Sequence, residues 1–208
     1  MNNSLKVKRL VGVASLAAIV VVLQLIANYI TIGTINITLA LIPIVVGAII
    51  YGPLVGFGLG ALMGIVVLTA PSTQGFLNVN PFVTILLCVL KTGLAGLVSG
   101  FLFKIINKKN FYAAIVVATL IVPVINTGLF ILGSALFFQT VFGAESFSGA
   151  LPVIIGVVFG TNFAIEFTLN VVLSPVVATV VRVLARNYNL GFSLDYKEEL
   201  DNQEIVEA

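Results

Sequence analysis

The chain has 208 residues, 60% of them hydrophobic and only 9% charged, with a mean hydropathy of +1.19. Soluble domains carry about 25% charged residues, so a water-dispersed globule is excluded. Zero His and a single Cys exclude a recognisable zinc or disulfide framework, and no basic stripe with interleaved aromatics suits nucleic acid.

From Leu10 to Leu90 there is no Lys, Arg, Asp or Glu, the mark of an integral membrane protein. The first predicted span runs from Leu10 to Ile30, behind Lys6, Lys8 and Arg9. A basic start before an apolar run resembles a signal peptide, but the hydrophobicity does not stop, so the segment is read as a span. Thr31 to Asn36 is a polar, Gly-containing exit. The second span covers Thr38 to Tyr51 and is broken by Gly52-Pro53; the third covers Leu54 to Ala70. Both are short for full crossings, which predicts tilt, kinking or shelter by neighbours. A polar interruption, Pro71 to Pro81, precedes the fourth span (Phe82 to Phe103), the fifth (Tyr112 to Phe138) and the sixth (Leu151 to Leu184).

The expected fold is an all-α membrane protein, a six-transmembrane-helix bundle with cytoplasmic N- and C-termini. The orientation follows from basic clusters. Lys6, Lys8 and Arg9, then Lys104, Lys108 and Lys109, then Arg182 and Arg186 all fall on one side, while the opposite side holds Glu145. Residues 1–187 form the membrane domain. Residues 188–208, with Asp195, Glu198, Glu199, Asp201, Glu204 and Glu207, read as a solvated acidic cytoplasmic tail.

Small residues recur at helical spacing: Gly52, Gly56, Gly60 and Gly64 in the third block, Gly96 and Gly100 in the fourth, Ala14 and Ala18 in the first. Such stripes let backbones approach closely within one chain, or dock a separate membrane subunit.

No catalytic constellation is present, and no cofactor or metal ligand set. Lys91-Thr92 imitates the end of a phosphate-binding loop, but Ile85 and Leu90 stand where glycines are needed. The chain therefore does not hydrolyse ATP, and energy for any transport comes from elsewhere. Lys91 and Glu166 lie deep in apolar segments, where a charge costs about 2.5–3.5 kcal/mol on insertion scales. They are read either as a mutual ion pair or as ligand-site residues. Asn162, Glu166 and Asn170 are four apart, on one helix face, either a cavity-facing stripe or a polar helix contact. Asn126 and Thr127 follow Pro123, which frees backbone carbonyls nearby. Asn36, Phe76 and Asn80, with Asn28, Tyr29, Gln74 and Asn78, flank the outer loops as candidate gate groups. The candidate substrate-binding set is Lys91, Asn126, Asn162, Glu166, Asn170, Asn36, Asn80 and Phe76.

The run Thr38-Leu39-Ala40-Leu41-Ile42-Pro43-Ile44-Val45-Val46-Gly47-Ala48, continuing to Gly56, resembles the central signature of S components. These are the substrate-binding membrane subunits of energy-coupling factor (ECF) vitamin transporters. Lys91-Thr92-Gly93-Leu94-Ala95-Gly96 resembles that family's fourth helix, and Asn162, Glu166, Asn170 and Pro175 its last. Ala14-Ser15-Leu16-Ala17-Ala18 matches its AxxxA first helix. The resemblance implies a multi-pass bacterial cell-membrane protein that binds one vitamin near the extracellular side. It also implies docking, through Ala14 and Ala18, onto a membrane T component driven by two cytoplasmic ATPases, with transport by tipping of the S component. An embedded Lys suits a carboxylate, and Asn side chains suit hydroxyl and amide groups, which points to pantothenate, with pyridoxine-type and pyrimidine ligands as competitors. A self-contained secondary transporter is the runner-up. Against it, the two halves show no corresponding broken helices.

Overall fold

An 11-residue helix that is apolar on every side has no face to offer water, and it belongs in an interior. The computed structural model places one there. It describes residues 3–29, 31–32, 35–36, 39–156 and 163–188. The short helix α2, Leu41–Tyr51, is buried at Leu41 and throughout Pro43–Ile50, and it packs against four of the long helices as well as the helix that follows it. At about 1.5 Å per residue it is roughly 16 Å long, about half the hydrocarbon thickness of a bilayer. Its Leu41, Ile44, Val45 and Ile49 form the centre of the main core, with Val20, Leu59, Met63, Ala95, Ala118, Val122, Val177 and Val181 from the surrounding helices.

The other elements follow in chain order. Helix α1 spans Asn3–Tyr29 and ends near a two-residue antiparallel ladder, β1 (Thr31–Ile32) with β2 (Ile35–Asn36). That ladder, formed from the expected polar exit, is the one departure from an all-helical chain among the described residues. Gly52 has φ 103°, a left-handed conformation that glycine adopts without strain, and the chain reverses there into α3, Pro53–Val67. A 3₁₀ turn at Pro71–Thr73 leads into α4, Gln74–Val79, at an angle of 82° to α3. The segment expected as a polar interruption is thus mostly helical. Helix α5 is Pro81–Ile106 and α6 is Phe111–Phe137. Each begins at an Asn N-cap: Asn80 Oδ1 accepts from Val83 N at 3.2 Å, and Asn110 Oδ1 from Ala113 N at 2.9 Å. A 3₁₀ turn at Gln139–Phe142, then α7 (Phe147–Ile154) and α8 (Ala164–Tyr188), complete the described chain.

The expected sixth span, from Leu151, is described in two parts, α7 and α8, and residues 157–162 between them lie outside the described residues. Helix α7 is N-capped by Ser146 and packs on α6 and the preceding turn through Ala150 and Ile154, in a satellite core with Ala135. Among the described residues, four helices are long and apolar enough to cross a membrane, and α3 with α4 makes a fifth if the bent pair is one span. Large apolar side chains such as Leu10, Leu54 and Phe82 are 71–80% exposed, a surface that only lipid or a partner can cover.

The seam between α3 and α5 is built on glycine. A Cβ on Gly60 would collide with the Thr92 carbonyl, one on Gly64 with the Cys88 carbonyl, and one on Gly96 with the Gly56 carbonyl. The third-block stripe is thus consumed in packing inside the molecule. Arg9 donates to the Tyr51 carbonyl at 2.9 Å, Lys104 Nζ stands beside Gly52, and Arg182 lies 5.2 Å from the Tyr112 ring. Basic residues from three helices therefore collect at one end of the bundle.

Candidate functional site

At the end of the bundle away from those basic residues, six helices and two turns line a cavity of about 280 Å³. Small-molecule sites usually occupy about 300–1,000 Å³, so this one suits a small metabolite rather than a large cofactor.

On α5, Thr84, Cys88 and Lys91 follow one another at helical spacing and line the same wall. The Lys91 ammonium stands 4.7 Å from the centroid of the Phe130 ring, and a ring face partly replaces the water a cation loses on entering an apolar interior. On α6, Asn126 and Thr127 occupy the turn after Pro123 and Phe130 the next one. Proline has no N–H, so the Thr119 carbonyl loses its helical donor there. Asn126 is 7% exposed, and its Oδ1 has no hydrogen-bond partner among the described residues.

Glu166 reaches the cavity from the first turn of α8 and is 7% exposed. The outer wall is aromatic. Phe76 on α4 meets Phe130, Phe138 and Phe142 edge-on, with centroid distances of 5.6, 5.1 and 5.9 Å, and all four rings line the cavity. The bend between α3 and α4 is what carries Phe76 over it.

The last wall is polar. Asn28 on α1 donates to the Val66 carbonyl and to Thr69 Oγ1, both at 3.0 Å, and Gln24 Nε2 donates to Asn28 Oδ1 at 2.7 Å. Gln24, Asn28, Ser72 and Thr73 all line the cavity. Its chemistry is that of recognition: one cation, one carboxylate, carboxamides and hydroxyls, in a chain without His.

Of the residues expected from the sequence, Lys91, Asn126, Glu166 and Phe76 come together at this cavity, and Thr127 with them. Asn170, 2% exposed, is one turn further along α8 than Glu166 and donates to its backbone carbonyl at 2.7 Å; it is not among the lining residues. Asn80 is exposed and committed to capping α5. Asn36 belongs to β2, and its side chain lies outside the described residues, as does Asn162. Tyr29, Gln74 and Asn78 are exposed, whereas Asn28 is buried. Ala14 and Ala18 are exposed on α1. Sequence reasoning passed over Gln24, Thr73, Thr84, Phe138 and Phe142. Gln24 and Asn28, four apart in an apolar span, carry the same polar-ladder signal that marks Glu166 and Asn170.

Residues 8–178 match the family model described as ECF transporter, substrate-specific component. No curated protein and no solved structure matches the chain.

Proposed function

Because the chain belongs to the substrate-specific components of ECF transporters, we propose that its cavity binds a small water-soluble vitamin, with pantothenate as the first assignment. Members of this family are transport subunits that work with a T component and ATPases rather than enzymes. On this reading α1, α2, α3, α5, α6 and α8 are the six membrane segments of a multi-pass protein of a bacterial cell membrane. The basic end, with both termini, faces the cytoplasm, and the cavity opens toward the outside. Residues 1–187 are the membrane domain and 188–208 a cytoplasmic tail.

The observation that carries the reading is the convergence of Lys91, Asn126 and Glu166, from three different helices, on one cavity of about 280 Å³. Each of the three is a polar group in an apolar segment, and a shared cavity gives all of them an occupation. In this assignment Lys91 meets the carboxylate of pantothenate, while the carboxamides meet its hydroxyl and amide groups. Asn36, Asn162 and Asn170 remain proposed contributors from neighbouring segments, Phe76 is a ring over the site, and Asn80 acts through the α5 cap.

One observation favours a second ligand class. Four phenylalanines on one wall offer faces and edges to a flat ring, which suits pyridoxine or a pyrimidine. Mass spectrometry of the small molecules released from the purified protein separates the two. Pantothenate is the expected species, and a stoichiometric pyridine or pyrimidine would replace it. Vitamin uptake by the isolated chain in proteoliposomes, without T component and ATPases, would overturn the subunit reading in favour of a secondary transporter.

A further inference from the structure

The orientation of the Gln24 carboxamide is dictated from the backbone. The Val66 carbonyl only accepts, so the group Asn28 turns toward it at 3.0 Å is its NH₂. Asn28 Oδ1 then faces Gln24 and accepts from its Nε2 at 2.7 Å. By elimination Gln24 presents Oε1, an acceptor, as its remaining polar atom. That atom is buried and has no hydrogen-bond partner among the described residues, and Gln24, 5% exposed, lines the cavity. Two hydroxyls of the lining are similarly committed. Thr73 Oγ1 donates to the Val67 carbonyl at 2.9 Å and Thr84 Oγ1 to the Asn80 carbonyl at 2.8 Å, so each has only lone pairs left. Asn126 Oδ1 is a further buried acceptor on the opposite wall.

We propose that Gln24 is a specificity-determining residue whose Oε1 accepts a hydrogen bond from an O–H or N–H of the substrate. Asn28 is the positioning residue that holds it in that sense. The substrate class is a small molecule carrying hydroxyl or amide donors on the side that faces α1. The inference rests on the cavity being the substrate site. A buried acceptor left unmatched destabilises a complex, so the relay discriminates against analogues in which the donor is blocked.

The test uses the full-length protein in detergent and isothermal titration with matched probes. One set is pantothenate, its two mono-O-methyl ethers and the derivative methylated on the amide nitrogen with the carboxylate kept, which block each donor in turn; the other is pyridoxine and 4-deoxypyridoxine, which lacks one hydroxyl. Wild type is expected to prefer a parent over one of its blocked partners by about tenfold, within the range of a neutral hydrogen bond. In Gln24→Met that preference falls to about one, while the other blocked partners keep theirs. Asn28→Leu, which frees the carboxamide to turn over, lowers the same preference. Equal binding of every parent and blocked partner by wild type would overturn the inference without any variant. An unchanged preference in folded Gln24→Met would overturn it too, and either result leaves the substrate site standing. Failure of wild type to bind either parent would instead overturn the vitamin assignment and the inference with it.

Discussion

Lys91 meets the cavity from α5 with its ammonium 4.7 Å from the Phe130 centroid, and Glu166 lines the same cavity from the start of α8. A structural pair and a ligand site make opposite demands on these residues. If the two exist for each other, removing either strands a buried charge at about 3–5 kcal/mol, and removing both is far milder. If Lys91 serves a substrate carboxylate, Lys91→Met weakens pantothenate binding by about 1.5–3 kcal/mol, and adding Glu166→Gln does not restore it. Titration calorimetry on the two single variants and the double variant checks this; a double variant binding like wild type would sink the ligand role. Lys91, Glu166 and Asn126 were legible in the sequence because each interrupts an apolar run at an energetic penalty. Thr73 and Thr84 were not, since a hydroxyl that bonds its own helix or turn is inexpensive in such a segment. Asn80 carries two signals at once, and the structure describes it as the cap of α5. An Asn before a Pro-initiated helix is an N-cap signal as much as a binding signal.

Among the elements, α3 and α5 make the most intimate pair, and glycine is the cause. The Gly60 Cα faces the Thr92 carbonyl so closely that a methyl group has no place, whereas Gly58, two residues before, has open space around its missing side chain. Gly60→Ala is expected to lower stability by about 1–3 kcal/mol through overpacking against rigid backbone. Gly58→Ala should be neutral or raise it by about 0.5–1 kcal/mol through helix propensity. Thermal denaturation of the two variants in one detergent reads the contrast, and equal melting temperatures would refute the seam. The stripe of small residues announced this contact, though not which partner it served. The expected centres of α1, α3, α5 and α6 fall within the observed helices, because apolar length and Gly/Pro punctuation bound them. Helix α4 escaped notice, being six residues long, too short for a periodic pattern to show.

At the scale of the whole molecule, the bundle is polarised. Arg9, Lys104 and Arg182 mark one end, and the cavity with its aromatic wall occupies the other. Between them α1 turns an apolar flank outward, with Val11, Ala14, Ala18, Ile19 and Val22 all exposed. Two small residues four apart make a shallow groove on that flank, where another helix can approach closely. The Gly stripes of α3 and α5 are already buried against each other, so α1 offers the free small-residue surface for a membrane partner in the proposed subunit reading. Since Ala14 and Ala18 are exposed, indole rings there are accommodated by the isolated fold and obstruct only what docks on it. Ala14→Trp combined with Ala18→Trp is therefore expected to abolish vitamin uptake in cells carrying the T component and ATPases. In detergent it should leave pantothenate affinity within about twofold of wild type, because the cavity residues of α1, from Gln24 onward, lie more than a turn away along the helix. Uptake at the wild-type rate would remove this face as the docking surface, and loss of affinity with loss of uptake would place its effect on the fold instead.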